Sequence, residues 1–119
     1  MSKIIKREAD LDKKLSECSR VLVLFYASWC PYSQIFLPIF EKYSEGNDQN
    51  FCRVVTDRME VCEEKYAIEV VPTVIYFENG RVVKRLDGVQ GSGLTEHQLN
   101  SLIRSCELGD GNAVTTEGK

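Results

Sequence analysis

Apolar residues recur along the chain in two rhythms, and each change of rhythm marks a new element. In residues 8–18, Leu11, Leu15 and Cys18 stand four and three apart with charges between them, which predicts an amphipathic helix. Val21-Leu22-Val23-Leu24-Phe25-Tyr26 is instead a continuous apolar, β-prone run. Its length suits a strand buried on both faces at the centre of an α/β sheet. A second helix is expected over 33–44, where Ile35, Phe36, Ile39, Phe40 and Tyr43 form an apolar stripe. Pro31 is tolerated in its first turn. Pro38 lies inside it and is expected to kink it.

A polar turn at 46–50 leads to a strand predicted over 51–56 and a short helix over 59–67, with Met59, Cys62 and Tyr66 turned inward. A strand follows at 74–77. Asn79-Gly80 is the pair a tight hairpin turn favours, and 82–86 returns from it. A glycine-rich loop occupies 88–93. Thr95 with Gln98 three residues on has the capping-box pattern, and Leu99, Leu102, Ile103 and Cys106 carry the last helix. Residues 109–119 are polar and poor in large apolar side chains, so a flexible tail is expected after a domain at 1–108. The alternation of helices and strands, closed by a hairpin, predicts an α/β domain. Its sheet is expected to be mixed, of about four strands, with helices on both faces.

Composition narrows the function classes. A chain of 119 residues is one ordinary domain. Net charge is −3, from 15 basic and 18 acidic residues without a long block of one sign, so nucleic-acid binding is not expected. The longest apolar run, 21–27, is far short of the roughly 20 residues that span a bilayer, and no membrane association is expected. No secretory signal is expected either, since the first twenty residues lack an apolar stretch and a small-residue cleavage site. Five cysteines at scattered positions fit a reduced, cytoplasmic protein better than a disulfide scaffold. No pair has zinc-ligand spacing and His97 is the sole histidine, so neither metal nor cofactor is expected. A monomer is expected.

The chemistry concentrates at Trp29-Cys30-Pro31-Tyr32-Ser33, at the junction of the apolar strand and the second helix. A thiol at a helix N-terminus meets unpaired N–H groups and the positive end of the helix dipole, which stabilise a thiolate. A free cysteine titrates near pH 8.5, and such sites bring this to about 3.5–7.5. Ser33, one turn on, is positioned to donate a hydrogen bond to the thiolate, and it cannot attack a mixed disulfide. Downstream, Val71-Pro72 is an X–Pro bond, the only kind that is readily cis.

The Cys30 segment resembles the active site of the thioredoxin family. Pro38 stands eight residues after Cys30, where thioredoxins carry a helix-kinking proline. Val71-Pro72-Thr73 is similar to the family's cis-proline loop, Phe77-Glu78-Asn79-Gly80 to its Phe-Lys-Asn-Gly hairpin, and Gly88 to its late glycine. The resemblance spans roughly residues 8–106 and implies the thioredoxin fold. It implies that Cys30 is the nucleophile with Ser33 beside it. Trp29, Pro31, Tyr32, Val71, Pro72 and Gly88 would border the surface where an extended substrate adds as a strand. The implied partners are protein or peptide disulfides and thiols, with glutathione or a reductase as candidate thiol donors.

Two positions depart from the family pattern. Ser33 replaces the second cysteine, and Leu24 stands six residues before Cys30 where a buried aspartate is usual. The aspartate chiefly serves the missing thiol, so the two losses are consistent. Pro31-Tyr32 is also the dipeptide typical of dithiol glutaredoxins. Three origins of Ser33 stay open: a native monothiol protein, an engineered Cys→Ser change that traps complexes, and a retired domain kept for binding. The function read from the sequence is monothiol thiol–disulfide exchange. Its competitors are a non-catalytic client-binding module and, in the manner of monothiol glutaredoxins, an iron–sulfur carrier. Cys18, Cys52 and Cys106 read as core residues. Cys62 reads either as a helix-interface residue or as a resolving thiol. Arg53 and Asp57 read as solvated strand-end charges, with a charge near Cys30 able to tune it, and His97 as an exposed helix residue.

Overall fold

The apolar run becomes the middle strand of a five-stranded mixed sheet. The computed structural model describes residues 2–106. Its elements are β1 (Lys3–Ile5), α1 (Glu8–Glu17), β2 (Arg20–Tyr26), α2 (Pro31–Ser44), β3 (Phe51–Val55), α3 (Glu60–Lys65), β4 (Thr73–Glu78), β5 (Arg81–Leu86) and α4 (Glu96–Cys106). The strand order is β1-β3-β2-β4-β5. β3 pairs in parallel with both β1 and β2, whereas β4 runs antiparallel to β2 and β5. The tail expected at 109–119 lies outside the described residues.

Alternate side chains of β2 feed two cores. Val21, Val23 and Phe25 pack with Leu11 and Leu15 of α1 and Cys62 of α3. Leu22, Leu24 and Tyr26 pack with Phe36 and Phe40 of α2 and Leu99 of α4. Burial on both faces is why this strand needs no polar alternation. At the hairpin, Asn79 and Gly80 both take positive φ (53° and 80°), the conformation that an Asn-Gly turn accommodates. At the start of α4, the Gln98 N–H donates to Thr95 Oγ1 at 3.1 Å and the Thr95 N–H donates to Gln98 Oε1 at 2.9 Å, which completes the capping box.

The structure corrects four expectations. The sheet has five strands among the described residues, because Lys3–Ile5 pairs with β3. Three residues with only Ile5 buried are too short to declare a strand by pattern. Ile35, read into the stripe of α2, is 65% exposed. Cys18 is half-buried at the end of α1, packed against the core rather than enclosed in it, and its Sγ donates to the Gln49 carbonyl at 3.4 Å. Arg53 is not a solvated charge. Its side chain is 13% exposed, with Nε 3.2 Å from Glu41 Oε2, an ion pair by distance although Nε is not aligned for a hydrogen bond. The Ser2 N–H and hydroxyl cover the same carboxylate at 2.8 and 2.7 Å.

Candidate functional site

Four separate segments converge at the end of β2 where the chain turns into α2. Cys30 is the N-cap of α2: its backbone is extended (φ −85°, ψ 121°), Pro31 occupies the first helical turn, and the Gln34 N–H donates to the Cys30 carbonyl at 3.0 Å. The free N–H groups of the first turn and the helix dipole therefore lie beside the thiol. Cys30 is 6% exposed, and its Sγ lies 3.8 Å from the Val71 carbonyl oxygen. The turn before it is tied down twice. The Ser28 N–H donates to Asp57 at 3.0 Å and its hydroxyl donates to the other carboxylate oxygen, while Gln34 Nε2 donates to the Ser28 carbonyl at 2.7 Å. These two donors from Ser28 hold the Asp57 carboxyl below its usual value, so it is ionised at neutral pH.

Ser33 is fully buried, and its Oγ accepts the Ala27 N–H at 3.3 Å. Its lone pair thus serves the backbone of the turn, and no bond from Ser33 to Cys30 Sγ occurs among the described residues. Leu24 is completely buried in the core under α2 and α4.

The Val71–Pro72 peptide bond is cis. Thr73 fixes the loop around it: its hydroxyl donates to the Val70 carbonyl at 2.6 Å and accepts the Gly88 N–H at 3.3 Å. Gly88 is required here by contact. A Cβ at this position would stand 2.3 Å from the Pro72 carbonyl oxygen. Gly88 thus supports the loop from behind. In front, Trp29, Cys30, Tyr32 and Val71 line a cleft of about 360 Å³, together with Val89 and Gly91. Trp29 is 70% exposed and Tyr32 40%, so both present aromatic surface to solvent at its rim. Pro31 is exposed on the first turn of α2 and Pro72 is buried in the loop.

Cys62 faces the core beneath α3, and burial pushes its thiol up to about 12. It is neither accessible nor ionised at neutral pH, which is unfavourable for a resolving thiol. Burial raises Cys52 likewise to about 12. Pattern reading passed over Ser28, Gln34, Glu63 and Glu69. Asp57 stood out only as a charge, with no sign in the sequence that Ser28 would pair with it. Among the described residues, no group of three or more His, Cys, Asp or Glu is arranged to hold a metal ion, and no helix is long and apolar enough to cross a membrane.

The model of the thioredoxin family matches residues 2–104. The chain belongs to the thioredoxin family. It is 36% identical over 103 residues to a thioredoxin of Mycoplasmoides gallisepticum, covering 86% of this chain and 99% of that one. It is also 36% identical over 84 residues to endoplasmic reticulum resident protein 44 of Mus musculus, but spans only 21% of that protein. Among solved structures, a mutant thioredoxin from Halobacterium salinarum superposes with a TM-score of 0.75 at 28% identity, over 91% of this chain and 92% of that one. Plasmodium falciparum thioredoxin superposes with a TM-score of 0.76 at 29% identity, over 87% and 97%. In this chain the C-x-x-S segment carries a single thiol, and Leu24 is a core residue.

Proposed function

We propose that the protein is a monothiol exchange protein in which Cys30 attacks protein, peptide or small-molecule disulfides. The observation that carries this reading is the Cys30 thiol at the N-cap of α2, facing the cis Val71–Pro72 loop across 3.8 Å at the floor of an open cleft. The step conserves electrons. The Cys30 thiolate attacks one sulfur of the substrate disulfide, the S–S bond breaks, and the second sulfur departs as a thiolate that takes a proton from water. The product is a mixed disulfide on Cys30. Ser33 has no thiol with which to release it, so release requires a thiol from glutathione, a reductase or the substrate itself. Trp29, Pro31 and Tyr32 flank the reacting sulfur, and the Val71 backbone offers hydrogen bonds to an extended substrate. Pro72 and Gly88 hold that backbone in place. The five free cysteines support a reducing, cytoplasmic setting.

The test mixes reduced protein with excess glutathione disulfide at neutral pH and follows intact mass with peptide mapping. A single stable adduct on Cys30 is expected. In Ser33→Cys the adduct should instead decay to an internal disulfide with the introduced thiol. No preferential reaction at Cys30 refutes the proposal. A second reading, a client-binding module without catalysis, is favoured by the near-complete burial of the Cys30 thiol. It requires client binding to survive Cys30→Ser.

A further inference from the structure

The cleft beside Cys30 carries charge of one sign only. Asp57, Glu63 and Glu69 line it, and among the described residues no lysine, arginine or histidine does. The side formed by Trp29, Tyr32 and Val89 is uncharged. Two of the cations near in sequence are engaged elsewhere. Arg85 donates to the carbonyls of Tyr66 and Ala67 and pairs with Asp87. Lys65 lies over the Tyr66 ring, 5.4 Å from its centroid. Arg58 attracts the Asp57 carboxylate but does not itself line the cleft. Asp57 is held ionised by Ser28. Glu69 is exposed and stands two residues before Val71, whose carbonyl meets the Cys30 sulfur. Two residues of extended chain reach about 7 Å.

We infer that this cleft selects substrates carrying lysine or arginine within about two residues of the cysteine that Cys30 attacks. The inference rests on the exchange reading for its reacting atom and on charge complementarity for its selectivity. An extended peptide bound along Val71 brings its neighbouring side chains within reach of Glu69 and Glu63 on one side and of the aromatic rim on the other. A cation about 7 Å from each carboxylate in a water-like dielectric gains about two- to threefold per charge. Together, after screening, the three give a preference of about tenfold at low salt. An acidic flank is disfavoured by a similar factor.

The experiment uses three short peptides whose single cysteine is a mixed disulfide with thionitrobenzoate, flanked by lysine, glutamine or glutamate. Release of the coloured thiolate gives the rate of attack by Cys30. At low salt the lysine probe should react about tenfold faster than the glutamine probe and the glutamate probe slower still, with the differences shrinking at high salt. In Glu63→Gln/Glu69→Gln the lysine and glutamine rates should converge to within about threefold. Equal rates in the unaltered protein, or a preference unchanged in the double variant, overturn the inference while leaving exchange intact. Failure of Cys30 to react even with the glutamine probe overturns exchange instead. Selectivity is then read from binding of the same peptides with serine in place of cysteine, through the fluorescence of Trp29, the sole tryptophan. Binding of the lysine peptide about tenfold tighter than the glutamine peptide, with the glutamate peptide weaker still, supports the inference, and equal binding refutes it.

Discussion

Gly88→Ala puts one methyl group where the structure has no room for it, and its consequences reach the thiol from behind. The added Cβ would lie 2.3 Å from the Pro72 carbonyl oxygen and 3.4 Å from Val70 Cγ1, against a practical limit of 3.0 Å. The obstructing atom is backbone, so no side-chain rotation relieves it. Either β5 must withdraw from the loop or the loop must move toward Cys30. Forced overpacking of this kind costs about 1–3 kcal/mol. For a domain of about 100 residues, 1 kcal/mol lowers Tm by about 4–8 °C, so a fall on the order of 10 °C is expected. The displaced carbonyl adjoins Val71, whose own oxygen lies 3.8 Å from the Cys30 sulfur, so the rate of Cys30 alkylation should change as well. Gly46→Ala is the control. Gly46 has φ +83° and nothing within 4 Å of its Cβ position, so an alanine there carries left-handed strain of about 1–2 kcal/mol but no clash near the thiol. Urea unfolding at constant m, together with iodoacetamide kinetics at Cys30, separates the two variants. Alkylation in Gly88→Ala as fast as in Gly46→Ala, with no measurable loss of stability, would refute the packing argument.

Two further outcomes follow from buried groups. Cys52 and Cys62 are both pushed by burial to about 12, above the value of an unfolded thiol, so the folded state retains their protons longer than the unfolded state does. Their contribution is complete below about pH 8.5 and is lost as pH rises toward 12, at up to about 1.4 kcal/mol per pH unit for each thiol. Unfolding midpoints measured from pH 8 to 11 should fall, with a shallower slope in Cys52→Ala, and an unchanged slope in that variant would contradict the assignment. At the Arg53–Glu41 pair, Glu41→Gln leaves a largely buried guanidinium without its counter-charge and should cost about 3 kcal/mol in urea unfolding. Glu41→Gln/Arg53→Met should recover part of that loss, and a single-variant cost below about 1 kcal/mol would show the pair to be solvated after all.

Elements that rest on local physics are legible in the chain before it folds. The 21–26 run, the Asn79-Gly80 turn, the Thr95–Gln98 cap and Pro31 after Cys30 each report the backbone conformation of their own few residues. Together they specified the order of elements from α1 to α4 and put Cys30 at a helix start. Strand β1 escaped notice because three residues hold no period, and it is a strand only because β3 offers it an edge. Arg53 and Asp57 look alike in sequence, two charges near the end of a strand. Glu41 turned one into a buried ion pair, and Ser28 turned the other into an anchor of the Cys30 turn. Long-range packing makes Ser33 serve the Ala27 N–H, sets Gly88 against Pro72, and brings Glu63 and Glu69 into one cleft with Cys30. Periodicity and turn chemistry act between neighbours in the chain, whereas a cleft is assembled from residues tens of positions apart. Its charge and shape come into being when β2, α2, α3 and the Pro72 loop are packed against one another.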